Sequence, residues 1–119
     1  MKESIMRNKS LEFAIRIVSI YKYLSEERKE YILSRQLLRS GTAVGALLRE
    51  SEHAESPADF IHKFAIAQKE CNETAYWLEL LNKTSYLPEK EYNELSNSCI
   101  ELLKMITATI VTMKRKSNT

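Results

Sequence analysis

SPADFIHKFAIAQKECNETAYWLELL, residues 56–81, decides the fold. Ser56 carries a hydroxyl suited to a helix N-cap, and the fixed φ of Pro57 suits the first helical position. Asp59 stands three residues after the serine, the spacing of a capping box. From there Phe60, Phe64, Ala67, Cys71, Thr74, Leu78 and Leu81 recur in a 4-3-4-3 rhythm. That rhythm draws one stripe along a helix of residues 57–83 and predicts left-handed, near-parallel packing against its neighbours.

Upstream, RQLLRSGTAVGALLRE (35–50) lies in a predicted helix of residues 30–54, with Leu33, Leu37, Gly41, Val44 and Leu48 facing inward. It holds both glycines of the chain, although a mid-helix glycine costs about 1 kcal/mol relative to alanine. Gly41 and Gly45 share a helix face beside Ala46, and small residues there let another backbone approach closely. Both are helix-packing positions: Gly41 near the core, Gly45 further round, where a second helix is expected. Before it, SLEFAIRIVSIYKYL (10–24) presents Ala14, Ile17, Val18, Tyr21 and Leu24 at helical spacing. Ser10 is its candidate cap, with Ile5 and Met6 extending it backward to a span of 6–24, and SEERKE (25–30) reads as the following turn. Downstream, Pro88 opens a helix of residues 88–114 with the seam Tyr92, Leu95, Cys99, Leu102, Ile106, Thr109 and Met113, ahead of a polar tail, KRKSNT.

Four helices with short connections predict an all-α, antiparallel up-down-up-down four-helix bundle, one domain over residues 1–119. Two glycines and two prolines are too few turn-makers for a many-stranded β fold. No apolar run approaches the ~20 residues of a membrane span, and MKESIMRNKS lacks the apolar core of a signal peptide. Cys71 and Cys99 form no CxxC pair and read as reduced core thiols of a cytoplasmic protein.

A second apolar stripe lies outside the seams, with Ile66, Tyr76, Trp77 and Leu80 on the third helix and Leu103 and Ile110 on the fourth. A small bundle cannot bury a helix all round, so these six are the candidate interface of a homo-oligomer. The alternative is that the extra aromatics fill the ends of the bundle.

Charge is unevenly spread. Residues 1–40 carry nine Lys and Arg against five Glu, residues 50–101 carry four Lys against eleven Asp and Glu, and residues 102–119 carry four bases and no acid. Arg16, Lys22, Arg35, Arg39, Arg49, Lys104, Lys114, Arg115 and Lys116 are therefore candidate nucleic-acid contacts on a single basic surface opposite the acidic third helix. The competing expectation is a solvated face whose charges pair within or between chains.

No enzyme signature emerges. Glu50-Ser51-Glu52-His53 and Asp59-Phe60-Ile61-His62 have the ExxH and DxxH spacing of di-metal carboxylate bundles. At about 100° per residue, however, His53 falls opposite Val44 on its helix, and both motifs flank the Ser56-Pro57 junction. A di-metal enzyme is thus a remote alternative, and no metal, cofactor or small-molecule substrate is expected. Gly41-x3-Gly45 is neither a P-loop nor a dinucleotide fingerprint.

The run from Gln36 to Leu87 resembles the bacterial four helix bundle family first noticed as products of intervening sequences within 23S ribosomal RNA genes. The likeness rests on Gln36, Arg39, Ser40, Thr42, Ala46 and Glu50, on Asp59, Phe60 and Lys63, and on Glu70, Glu73, Thr74, Tyr76, Trp77 and Leu78. Ala43 and Leu47 depart from the family's usual Ser and Asn. The resemblance implies a ring-like homopentamer, related in fold to the basic accessory variability protein of diversity-generating retroelements. It carries no catalytic residue over. Its ribosomal-RNA gene context places RNA ahead of DNA as a partner, with a protein–protein adaptor or scaffold free of nucleic acid as the alternative. Arg39 is expected to pair with Glu70 or Glu73, within the bundle or across subunits, and Trp77 and Tyr76 are expected to anchor the interface.

Overall fold

A computed structural model of the protein describes residues 2–117, with side chains from residue 5 onward. Among these residues there are four α-helices and no strand: α1 (Lys2–Lys22), α2 (Leu33–Ser51), α3 (Pro57–Lys83) and α4 (Glu89–Ser117), with a π-helical turn, Tyr23–Glu27, prolonging α1. The body is a rod of 51 × 22 × 21 Å.

The start of α3 follows from its sequence. Ser56 is extended (φ −160°, ψ 164°), and its Oγ accepts the Asp59 N–H at 3.0 Å. Asp59 Oδ2 accepts the Glu55 N–H in return, at 3.1 Å. The stripe also holds, because Phe64, Ala67, Cys71, Thr74, Leu78 and Leu81 are all buried and only Phe60 is partly open.

The start of α2 differs from the expected Glu30. Lys29 has φ 57°, a left-handed conformation that no helix continues through. Glu30 instead folds its carboxylate over the helix start, accepting the N–H groups of Ile32 (3.2 Å), Leu33 (3.0 Å) and Ser34 (2.7 Å). Those donors have no partner inside the helix. Burial disfavours the charged carboxylate, but the three backbone donors outweigh burial and hold its pKa below the ordinary value. The helix also ends early: the N–H groups of Glu52, His53 and Ala54 bond three residues back in a tighter turn that leads to Ser56.

The first helix begins at Lys2, so Ser10 is not its cap. Ser10 is mid-helix and buried, with its Oγ bonded to the Arg7 carbonyl. The buried row of α1 is Met6, Ser10, Phe13 and Ile17, continued by Leu24 in the π-helical turn, while Ala14, Val18 and Tyr21 are half-buried. Residues 25–27 of the expected turn are helical as well. At the other end of the chain α4 runs through Lys114, Arg115, Lys116 and Ser117, so the start of the expected polar tail is helix, and its last two residues lie outside the described part.

The two glycines answer to α1. A Cβ built at Gly41 would stand 2.9 Å from both Cγ1 and Cγ2 of Ile17, and one at Gly45 would stand 3.4 Å from the Ser10 carbonyl oxygen. The second helix expected at Gly45 is therefore the same α1 that Gly41 meets. Partner numbers fall as helix numbers rise: Ser10 lies at Gly45 and Ile17 at Gly41, Lys9 at Glu101 and Arg16 at Glu94. The core joins all four helices, with Ile17, Leu37, Val44, Leu78, Leu95 and Ile106 completely enclosed.

Candidate functional site

Eight of the residues that carry the family pattern, Arg39, Ser40, Glu50, Lys63, Glu70, Glu73, Thr74 and Trp77, bond across or along the α2–α3 seam. Arg39, one turn from the middle of α2, sends Nη1 to Glu70 Oε2 (2.9 Å) and Nη2 to Glu73 Oε2. Trp77, one turn beyond Glu73 on α3, donates its indole N–H to the same Glu73 oxygen at 2.8 Å. Directly inside, the Thr74 hydroxyl donates to Ser40 Oγ at 2.9 Å, with both groups fully buried. Further along the seam Lys63 Nζ meets Glu50 Oε1 at 3.1 Å. The pairing expected for Arg39 is thus realised with both glutamates, and within one chain. The neighbouring guanidinium first, and then the indole N–H, hold the Glu73 pKa below the ordinary value, while the two carboxylates raise that of Arg39.

Chemically this is a clasp. A fork of donors meets two carboxylates in a geometry that fixes the rotation of α2 against α3. Its charge is spent on that contact.

The nine basic candidates have different fates. Arg39 is in the clasp, and Arg16 bonds to Glu94 on α4 at 2.9 Å. Lys22 and Arg35 flank the turn between α1 and α2, whereas Arg49 sits near the far end of α2, where Arg7 pairs with Glu52. Lys104 shares a groove with Met6 of α1. Lys114 and Arg115 are exposed in the last turns of α4, followed by Lys116. The nine bases are distributed along the rod, and Arg16 and Arg39 are engaged in ion pairs.

Of the six interface candidates, Tyr76 is well exposed (56%) and packs edge-on against Trp77, which is itself half-buried. Ile66, Leu80 and Leu103 are half-buried, and Ile110 is 8% exposed, a member of the chain's own core. Open aliphatic side chains lie elsewhere: Leu11 (48%) and Ile15 (60%) form an i,i+4 pair on α1, and Ile32 (75%) stands at the start of α2. Leu11 lines a shallow groove between α1 and α2 together with Arg7, Ser10, Ala14, Thr42, Gly45, Ala46 and Arg49, and Ile15 stands one turn further along α1. A signal for this pair was present in the sequence, because α1 is apolar on two faces, but Phe13 and Ile17 offer an equally regular row for the core.

His53 and His62 are both exposed, and among the described residues no three His, Cys, Asp or Glu side chains gather into a metal-holding group. No described helix is long and apolar enough to cross a membrane. Cys71 and Cys99 are free and buried. The adjacent Cys99 sulfur, together with burial, pushes the Cys71 thiol up.

No curated protein is similar to the chain. Among solved structures, a protein of unknown function from the S23 ribosomal protein family of Bacteroides thetaiotaomicron VPI-5482 is similar at 51% identity and a TM-score of 0.91. The match covers 92% of this chain and 98% of that one. A family model described as 23S rRNA-intervening sequence protein matches residues 2–108, a span that includes the whole α2–α3 clasp. The chain belongs to the 23S rRNA-intervening sequence protein family.

Proposed function

We propose that the protein is a non-enzymatic scaffold that works as a ring of identical up-down-up-down bundles, with five subunits as the family resemblance implies. One observation carries this reading: Leu11 is open to solvent at a groove lined by Gly45 and Ala46, and Ile15, also open, stands one turn further along the same helix. A pair of large aliphatic side chains next to a small-residue groove fits helix-on-helix association better than solvation. The clasp supports the same reading, since the charged residues of the family pattern hold the subunit's shape. Light scattering on the purified protein tests it. A mass several times 13.8 kDa is expected, falling toward one chain in Ile15→Glu, and a wild-type mass of one chain refutes it.

A second reading, contact with RNA or DNA, is favoured by the helical run of Lys114, Arg115 and Lys116 closing α4. Repeated in a ring, that run would supply several phosphate contacts per assembly. Binding of a single-stranded RNA 20-mer should weaken with salt at a log–log slope of about −0.7 per phosphate neutralised. Replacing Lys114 and Arg115 by Gln should flatten that slope. Absence of binding at low salt removes this reading and leaves the scaffold.

A further inference from the structure

Halfway along the rod, the α3–α4 seam contains two facing thiols. The sulfurs of Cys71 and Cys99 are 3.6 Å apart. Each also reaches the other residue's backbone: Cys71 Sγ lies 3.4 Å from the Cys99 carbonyl oxygen, and Cys99 Sγ lies 3.2 Å from that of Cys71. A sulfur sits only two bonds from its Cα, so this mutual reach means that the two backbones themselves are close. A disulfide needs sulfurs at about 2.05 Å, so each would move less than 1 Å toward the other.

We infer that Cys71 and Cys99 are a disulfide site, closed by a hydroperoxide into a covalent tie between α3 and α4. Both thiols are buried, which excludes bulky oxidants and selects a small one. Either sulfur can donate to the other across 3.6 Å, and this contact lowers the pKa of the Cys99 thiol while raising that of Cys71, which makes Cys99 the attacking group. Its sulfur forms an S–O bond as the peroxide O–O bond breaks, and the departing hydroxide takes up a proton to become water. The Cys71 sulfur then attacks Cys99 sulfenic acid. The S–S bond forms, the S–O bond breaks, and the hydroxide leaves as water with the Cys71 proton. In total two thiols lose two electrons and two protons, and one hydrogen peroxide becomes two waters.

The site differs from an ordinary pair of core cysteines in that its partners are already in register. The link joins positions 28 residues apart and spans the α3–α4 turn, so it would constrain the unfolded chain as well as the folded one. It would leave the clasp on the opposite side of α3 untouched.

The experiment treats the full-length protein with hydrogen peroxide, alkylates it with iodoacetamide in guanidinium, and maps its peptides. The expected product is a monomeric chain that has lost two hydrogens, takes up no iodoacetamide, and yields one cross-linked Cys71–Cys99 peptide. Dithiothreitol should reverse all three, and the oxidised protein should unfold at higher denaturant concentration. In Cys71→Ser the intermediate should persist, so that dimedone labels Cys99. Full alkylation of both thiols after peroxide, oxidation to sulfinic acid, or links only between chains would each overturn the proposal. So would faster bridging in guanidinium than in buffer, because the native placement would then contribute nothing.

Discussion

Replacing each glycine of α2 by alanine, one at a time, should move stability in opposite directions. Both substitutions remove a mid-helix glycine, a gain of about 1 kcal/mol from helix propensity and the stiffer unfolded chain. At Gly45 the new methyl meets the Ser10 carbonyl oxygen and Oγ at 3.4 Å, ordinary contact, so most of that gain should survive. At Gly41 the methyl would sit 2.9 Å from Cγ1 and Cγ2 of Ile17, and 3.2 Å from its Cδ1. The first two are the branch atoms of a residue whose χ1 is nearly locked in a helix, so no rotation of a flexible tip relieves the clash. Overpacking of this kind costs about 1–3 kcal/mol. Propensity is common to both variants, so Gly41→Ala should be less stable than Gly45→Ala by about 1–3 kcal/mol. For a chain of this size that is roughly 4–12 °C between their melting temperatures. Circular dichroism melts and urea titrations at one protein concentration measure it. A double-mutant cycle with Ile17→Ala should recover part of the loss, with a coupling of about 0.5–3 kcal/mol. A Gly41→Ala variant as stable as Gly45→Ala refutes the close approach of α1 and α2 on which the reasoning rests.

Glu30→Gln should cost about 1–2 kcal/mol, because an amide replaces the charged acceptor of three backbone donors at the start of α2. The folded pKa of Glu30 is depressed, so its contribution is full above the unfolded value of about 4.3 and is lost as pH falls through the folded one. The stability gap between wild type and Glu30→Gln should accordingly close below that range, and a gap constant with pH would contradict it. Arg39→Ala should lower the melting temperature and change the emission of Trp77, the single tryptophan, by releasing Glu73. The acid titration of that emission should move to higher pH, since the guanidinium is the first cause of the depressed Glu73 pKa; an unmoved titration would place the pairing elsewhere. Lys29→Gly should be neutral to stabilising by up to about 1 kcal/mol, because Lys29 occupies φ 57°, and a clear loss in urea titration would count against that conformation.

How far the sequence was legible differs from helix to helix. In α3 the cap and the seam are both local: Ser56 and Asp59 bond across three residues, and a 4-3-4-3 stripe has one solution. In α2 the inward face Leu33, Leu37, Gly41, Val44 and Leu48 leaves out Ser34, Ser40 and Ser51, which look polar yet are buried, their hydroxyls satisfied by backbone carbonyls or by Thr74. In α1 two apolar rows compete, and the choice of Phe13 and Ile17 over Leu11 and Ile15 is made by which row fits Gly41, a non-local fact. The basic residues were countable but not placeable, because whether Arg16 is free or bound depends on Glu94, 78 residues away. The clasp was foreseeable because a known pattern flagged Arg39, Glu70 and Glu73 together.

The α1–α4 seam has the fewest close approaches of the four, and two exposed ion pairs bridge it, Lys9–Glu101 and Arg16–Glu94. Such pairs contribute about 0.2–1 kcal/mol each and are screened by salt. Ionic strength therefore acts on this seam with little packing to offset it, whereas the ion pairs of the α1–α2 and α2–α3 seams lie over closer helix contacts. Raising it should speed amide hydrogen exchange along α1 while α2 and α3 keep their protection. Opening there would swing α1 away from α4 and leave the clasped α2–α3 pair standing.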